Sequence, residues 1–125
     1  MKLASTRIVT KDVPTLAKFY EDLLQIASTG TEEFVELRTN GAILALSSER
    51  AVAKFNAAAA IAVANRSMIL EFEVADVDSE RKRLQGLIKD WVLEPTTQPW
   101  GFRSMLFRDP DGNLINFYTP VSAST

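Results

Sequence analysis

The chain has 125 residues, 46% of them hydrophobic, with no cysteine and no histidine. That size and apolar content suit one domain with a core of its own, folding without disulfides or a structural metal. A net charge of −2 excludes the basic footprint of a nucleic-acid binder, and the missing histidines remove the commonest metal ligand and the commonest general base together.

Residues 1–7 lack the apolar segment of a secretory signal. The first strand signal is Ser5–Val13, which runs into a helix start at Asp12, an N-cap residue type. Leu16, Phe19, Tyr20 and Leu23 then recur at helical spacing and mark a buried stripe. Phe34–Arg38 and Ala42–Leu46 read as strands around a turn at Thr39-Asn40-Gly41. The stretch from Ser48 to Ser67 is Ala-rich and favours helix, either as a linker packed on the surface or as a mobile flap over a ligand cavity. Its apolar run at 57–64 is far shorter than the roughly 20 residues that cross a bilayer. A soluble, cytoplasmic protein with neither membrane nor nucleic acid as partner is the expectation.

Ile69–Val77 repeats the strand-to-helix pattern, with Asp76 as the cap and Val77, Leu84 and Ile88 as a weaker stripe. Two further strands, Met105–Arg108 and Asn113–Phe117, flank Asp109-Pro110-Asp111-Gly112. Pro110 presets φ and Gly112 accepts a positive one, so the four residues predict a hairpin turn. Asp12 and Asp76 are 64 residues apart, and Gly41 and Gly112 are 71 apart. The chain is a duplicated β-α-β-β unit with room for one more short strand in each half.

Three segments carry a family resemblance. They are Lys11-Asp12-Val13 leading to Ala17–Leu24, Phe72–Asp78, and Pro99-Trp100-Gly101 together with Asp109–Asn113. In order, spacing and duplication the chain resembles the glyoxalase/bleomycin-resistance/dioxygenase family, the vicinal oxygen chelate superfamily. The resemblance implies an α+β fold of two βαβββ modules whose curled mixed sheets surround a cavity with the helices outside. It places module 1 at about 3–48, an Ala-rich connector at about 49–67 and module 2 at about 68–120, all within a single domain spanning 1–125. It also implies a homodimer.

Metal-using relatives hold a divalent ion with four inward side chains, and the resemblance places those positions on Ser5, Ala45, Ile69 and Asn116. Ala and Ile carry no donor atom, so no metal and no cofactor is expected, and metal-dependent glyoxalase or dioxygenase chemistry is rejected. Strand alternation adds Arg7, Glu71 and Tyr118 to the cavity wall, and Trp100 and Phe102 offer aromatic surface. Ala45 and Ser47 suggest open space. The ligand-binding set is therefore Ser5, Arg7, Ala45, Ile69, Glu71, Trp100, Phe102, Asn116 and Tyr118, with no catalytic residue. Each has a plainer reading: Arg7 and Glu71 pair with one another, Trp100 packs, and Tyr118 bonds the backbone. Trp91 is expected only to pack. The expected function is metal-independent binding of a small organic molecule, as in family members that sequester an antibiotic in the crevice between dimer subunits. A metal-free lyase or isomerase using Glu71 and Tyr118 as acid and base is the alternative, and a ligand-free scaffold dimer with a filled cavity is a third reading.

Overall fold

Both aspartates expected to start helices do so in the computed structural model, which describes residues 1–121. The described residues form two compact units, Met1–Ala64 and a second beginning at Asn65.

The first unit runs β1 (Ser5–Thr10), α1 (Val13–Leu24), β2 (Thr29–Gly30), β3 (Phe34–Arg38), β4 (Ile43–Ser48) and α2 (Glu49–Ala53). The carboxylate of Asp12 accepts from the Thr15 backbone N–H at 3.1 Å and from its hydroxyl at 2.7 Å, which satisfies a free donor of the first turn. Gln25, at φ 56°, closes the helix in the left-handed conformation. Leu16, Phe19, Tyr20 and Leu23 are all buried, and α1 lies on β3 and β4, which contribute Val35, Leu37, Leu44 and Leu46 to the core. The sheet order is β1-β4-β3-β2, with β1 parallel to β4 and the other pairs antiparallel.

The second unit repeats this plan with β5 (Ile69–Glu73), α3 (Val77–Arg83), β6 (Asp90–Thr97), β7 (Phe102–Arg108) and β8 (Leu114–Pro120), in sheet order β5-β8-β7-β6. Asp76 accepts from the Asp78 N–H and the Ser79 hydroxyl, starting α3. Val77, Leu84 and Ile88 are buried with Met105, Phe107, Ile115 and Phe117. The Phe117 ring meets those of Phe72 and Phe107 edge-on at 5.7 and 5.2 Å. Trp91 packs against Phe107, with the Arg81 guanidinium 3.8 Å from its ring centre. The hairpin between β7 and β8 turns at Asp109, whose carboxylate accepts from the backbone of Asp111 and Asn113 and from the Asn113 amide. Gly112 sits there at φ +87°, a conformation that favours glycine.

Each half does contain an extra strand, but they differ. β2 has two residues and β6 has eight. Neither sheet closes on itself, and their edges are β1 and β2, and β5 and β6.

The Ala-rich stretch departs from expectation. Helix covers only Glu49–Ala53, started by the Ser48 hydroxyl accepting from Ala51 N–H at 3.0 Å. Beyond Lys54 the chain turns, with Ala58 and Val63 in the left-handed region at φ 63° and 60°. Short helices in water are marginal even when rich in alanine, and 57–60 offers no apolar stripe to hold one on a core. The Asn56 carbonyl accepts from Ala59 N–H and Glu49 from Ala62 N–H, so the segment folds back by local bonds instead. Among the described residues no helix is long and apolar enough to cross a membrane.

Two ion pairs tie α3 to its sheet: Arg81 donates to Glu94 of β6 at 2.9 Å, and Arg103 of β7 donates through Nε and Nη2 to both oxygens of Asp78, at 2.7 and 2.9 Å. The guanidinium hydrogen bonds hold the Asp78 carboxyl below its ordinary value of 3.8. A carboxyl depressed in the folded state stabilises fully above its unfolded value and loses that contribution as pH falls through the folded one. Asp78→Asn is therefore expected to lower the urea midpoint at neutral pH, with the gap to wild type shrinking as pH drops below about 3.8. Urea melts at several pH values check this.

Candidate functional site

Register and alternation give each sheet a back face under its long helix and a front face on the other side. In the second unit the front face is made of rows running across β5, β8 and β7. Ile69, Leu114 and Arg108 form the first, then Glu71, Asn116 and Leu106, then Glu73, Tyr118 and Ser104, and finally Pro120 and Phe102. Successive rows are about 7 Å apart along the strands.

A cavity of about 330 Å³ opens on this face, lined by Glu71, Trp100, Phe102, Ser104, Asn116 and Tyr118. The turn Gln98–Phe102 places Trp100 at its rim: Gln98 N–H donates to Phe102 O at 2.7 Å, and Gly101 takes φ +96° to let the chain reverse. Trp100 is 69% exposed there. The Phe102 and Tyr118 rings meet edge-on at 5.3 Å and form an aromatic wall. On the polar side Asn116 Nδ2 donates to Glu71 Oε2 at 2.9 Å. That carboxylate fixes the amide orientation, since a flipped amide would set two acceptors against each other. Asn116 Oδ1 is then a buried acceptor without a partner among the described residues. Such an atom costs about 1–3 kcal/mol until a donor reaches it.

Five of the nine residues expected at a ligand site thus share one cavity: Glu71, Trp100, Phe102, Asn116 and Tyr118. Ile69 lies on the same face, one row along from Glu71. Ser5, Arg7 and Ala45 belong to the first unit. There Ser5 is exposed, Ala45 is buried, and the Arg7 guanidinium lies 5.5 Å from the ring centres of both Phe34 and Phe55. The open space expected at Ala45 and Ser47 is filled, since they are 1% and 0% exposed. Ser47 Oγ has no partner among the described residues. Ser104 was not anticipated from the sequence. It lies two residues after Phe102 on the same face, but the strand begins at Phe102 rather than at the expected Met105.

The glyoxalase-like domain model matches residues 3–122 of the sequence. The chain belongs to this family. Among solved structures, a chain described as a conserved domain protein is 28% identical, with TM-score 0.78 and coverage of 96% of this chain and 99% of its own. A glyoxalase/bleomycin resistance protein/dioxygenase from Nocardioides is 20% identical, with TM-score 0.81 and coverage of 100% and 87%. A lactoylglutathione lyase from Agrobacterium tumefaciens is 21% identical, with TM-score 0.73 and coverage of 94% and 92%. No curated protein gives a significant match.

Within the glyoxalase-like family a divalent ion is a natural expectation, but the donor set here does not fit one. Of Ser5, Ala45, Ile69 and Asn116, two have no donor atom, and the Asn116 amide nitrogen is turned toward Glu71. Among the described residues no three His, Cys, Asp or Glu side chains converge. Isothermal titration with Zn²⁺ or Ni²⁺ is expected to show no saturable heat in the submillimolar range.

Proposed function

We propose that this protein binds a small aromatic or amphipathic organic molecule on the front face of its second sheet, without a metal ion, and acts by sequestering it. An antibiotic is one such compound, and a cytoplasmic location accompanies this reading. The observation that carries it is the cavity itself: an aromatic wall of Trp100, Phe102 and Tyr118 opposite the polar pair Glu71–Asn116. Ligand sites typically combine apolar walls with a few convergent polar groups in this way. The exposed Glu71 carboxylate supplies an acceptor for an N–H or O–H of the ligand. Nothing on this face favours the acid–base alternative: Glu71 is exposed and bonded to Asn116, and the Tyr118 ring packs on Phe102.

The two tryptophans make the test direct, because Trp100 lines the cavity while Trp91 packs beside Phe107 and Arg81. Titrating naphthyl and quinoline compounds should give a saturable change in tryptophan emission that Trp91→Phe keeps and Trp100→Phe abolishes. The absence of saturation with every aromatic compound would overturn the proposal.

A second copy of the chain is the partner we propose. Val92 is 46% exposed on β6, an edge strand of the second sheet, and an exposed apolar side chain on an unpaired strand edge is open to pairing with another chain. Sedimentation equilibrium is expected to give twice the chain mass, with Val92→Glu shifting the population to monomer. A monomer at all concentrations would remove this part of the reading.

A further inference from the structure

Another cleft, of about 430 Å³, opens at the row next to the aromatic cavity, where β5 and β8 begin. Its walls include Ile69 and Leu114, and Arg66 and Arg108 bring two guanidinium groups to it. Arg108 is anchored: Nη1 donates to Gly112 O at 3.0 Å, and Nε lies 3.9 Å from Asp90 Oδ2 across a half-exposed pair. Arg66 has no carboxylate partner among the described residues. The cleft therefore carries net positive charge, two guanidinium groups against one loosely placed carboxylate, in a protein whose net charge is negative.

The internal duplication supplies an independent comparison. The 64-residue offset that relates Asp12 to Asp76 also relates Lys2 to Arg66, and the 71-residue offset relates Ile43 to Leu114. Arg38 and Arg108 occupy matching places, each ending a strand and paired in register with Ile43 and Leu114 respectively. The first unit has the corresponding cleft, also of about 430 Å³, lined among others by Lys2, Arg38 and Ile43. Both copies thus bring two cations to the same place. In the first, Glu36 holds Arg38 at 3.0 Å. In the second, the position of Glu36 on the strand is taken by Leu106, paired with Asn116, so Arg108 keeps only the looser contact with Asp90 at 3.9 Å.

We infer that the second-unit cleft receives an anionic end group, a carboxylate or another oxyanion, of the same ligand whose ring lies against Trp100, Phe102 and Tyr118. This rests on the binding function proposed above and narrows its ligand class. Along β8 the front face presents Leu114, Asn116 and Tyr118 in turn, about 13 Å from first to last. The matching ligand is elongated, with an anion at the Arg66–Arg108 end, a hydrogen-bonding centre at Asn116 and an aromatic group at the Tyr118 end. The Glu71 carboxylate in the middle row disfavours an anion there and so sets the orientation.

Dansyl-aminocaproate and its carboxamide form a matched probe pair, alike in ring and chain and differing in the terminal charge. Fluorescence titration of wild-type protein should show the carboxylate bound about fivefold more tightly than the amide, with the preference falling at high salt. Arg66→Ala should remove the preference by weakening the carboxylate far more than the amide, and Arg66→Lys should restore part of it. Arg66 is exposed, so its loss does not endanger the fold, and an unchanged thermal melt verifies this. Equal wild-type affinities, or an equal loss for both probes in Arg66→Ala, would overturn the anionic subsite and leave the binding function standing. Failure of both probes to bind wild-type protein would overturn the binding function together with the subsite.

Discussion

One long helix on the back of each sheet is the constraint from which the rest follows. A four-stranded sheet has two faces, and in each unit α1 or α3 covers only the back one. The apolar residues sort accordingly. Leu37, Leu44 and Leu46 lie in the core of the first unit, and Met105, Phe107, Ile115 and Phe117 in that of the second, all of them buried. Burying such side chains stabilises by about 1.5–3 kcal/mol each, so the back face fixes the register of every strand. The front face, released from that duty, can carry Glu71, Asn116, Ser104 and Tyr118 in adjacent rows.

The aspartate caps make this arrangement reproducible in both halves. Asp12 and Asp76 each follow a strand closely and start a helix at once. The parallel pairs β1–β4 and β5–β8 then leave the middle of each sheet to a strand entered from a hairpin turn. In the second half that turn is locked by Asp109, which takes three donors on its carboxylate, so the first residues of β8 are held with little freedom.

Much of this was legible in the sequence because it depends on local chemistry. The two Asp caps, the stripe of Leu16, Phe19, Tyr20 and Leu23, and the Asp-Pro-Asp-Gly turn all act within a few residues. The alternation of Leu114, Asn116 and Tyr118 against Ile115 and Phe117 was readable for the same reason, since one buried face sets the whole strand. The Ala-rich segment was misread because composition reports helix propensity, whereas helix 49–53 ends where no apolar stripe remains to bury. Ser104 was missed because Gly101 marks a turn in the sequence without showing that the strand begins immediately after it. The filled surroundings of Ala45 and Ser47 depend on contacts between distant segments, which spacing does not report.

The paired clefts show what duplication does to a charged surface. In one copy Glu36 neutralises Arg38 and makes the arginine part of the scaffold. In the other an apolar residue, Leu106, stands in the same lattice position, and Arg108 keeps only the looser contact with Asp90 at 3.9 Å. A single acidic side chain on the front face of one half, replaced by an apolar one in the other, thus gives corresponding clefts in two copies of one design a different charge.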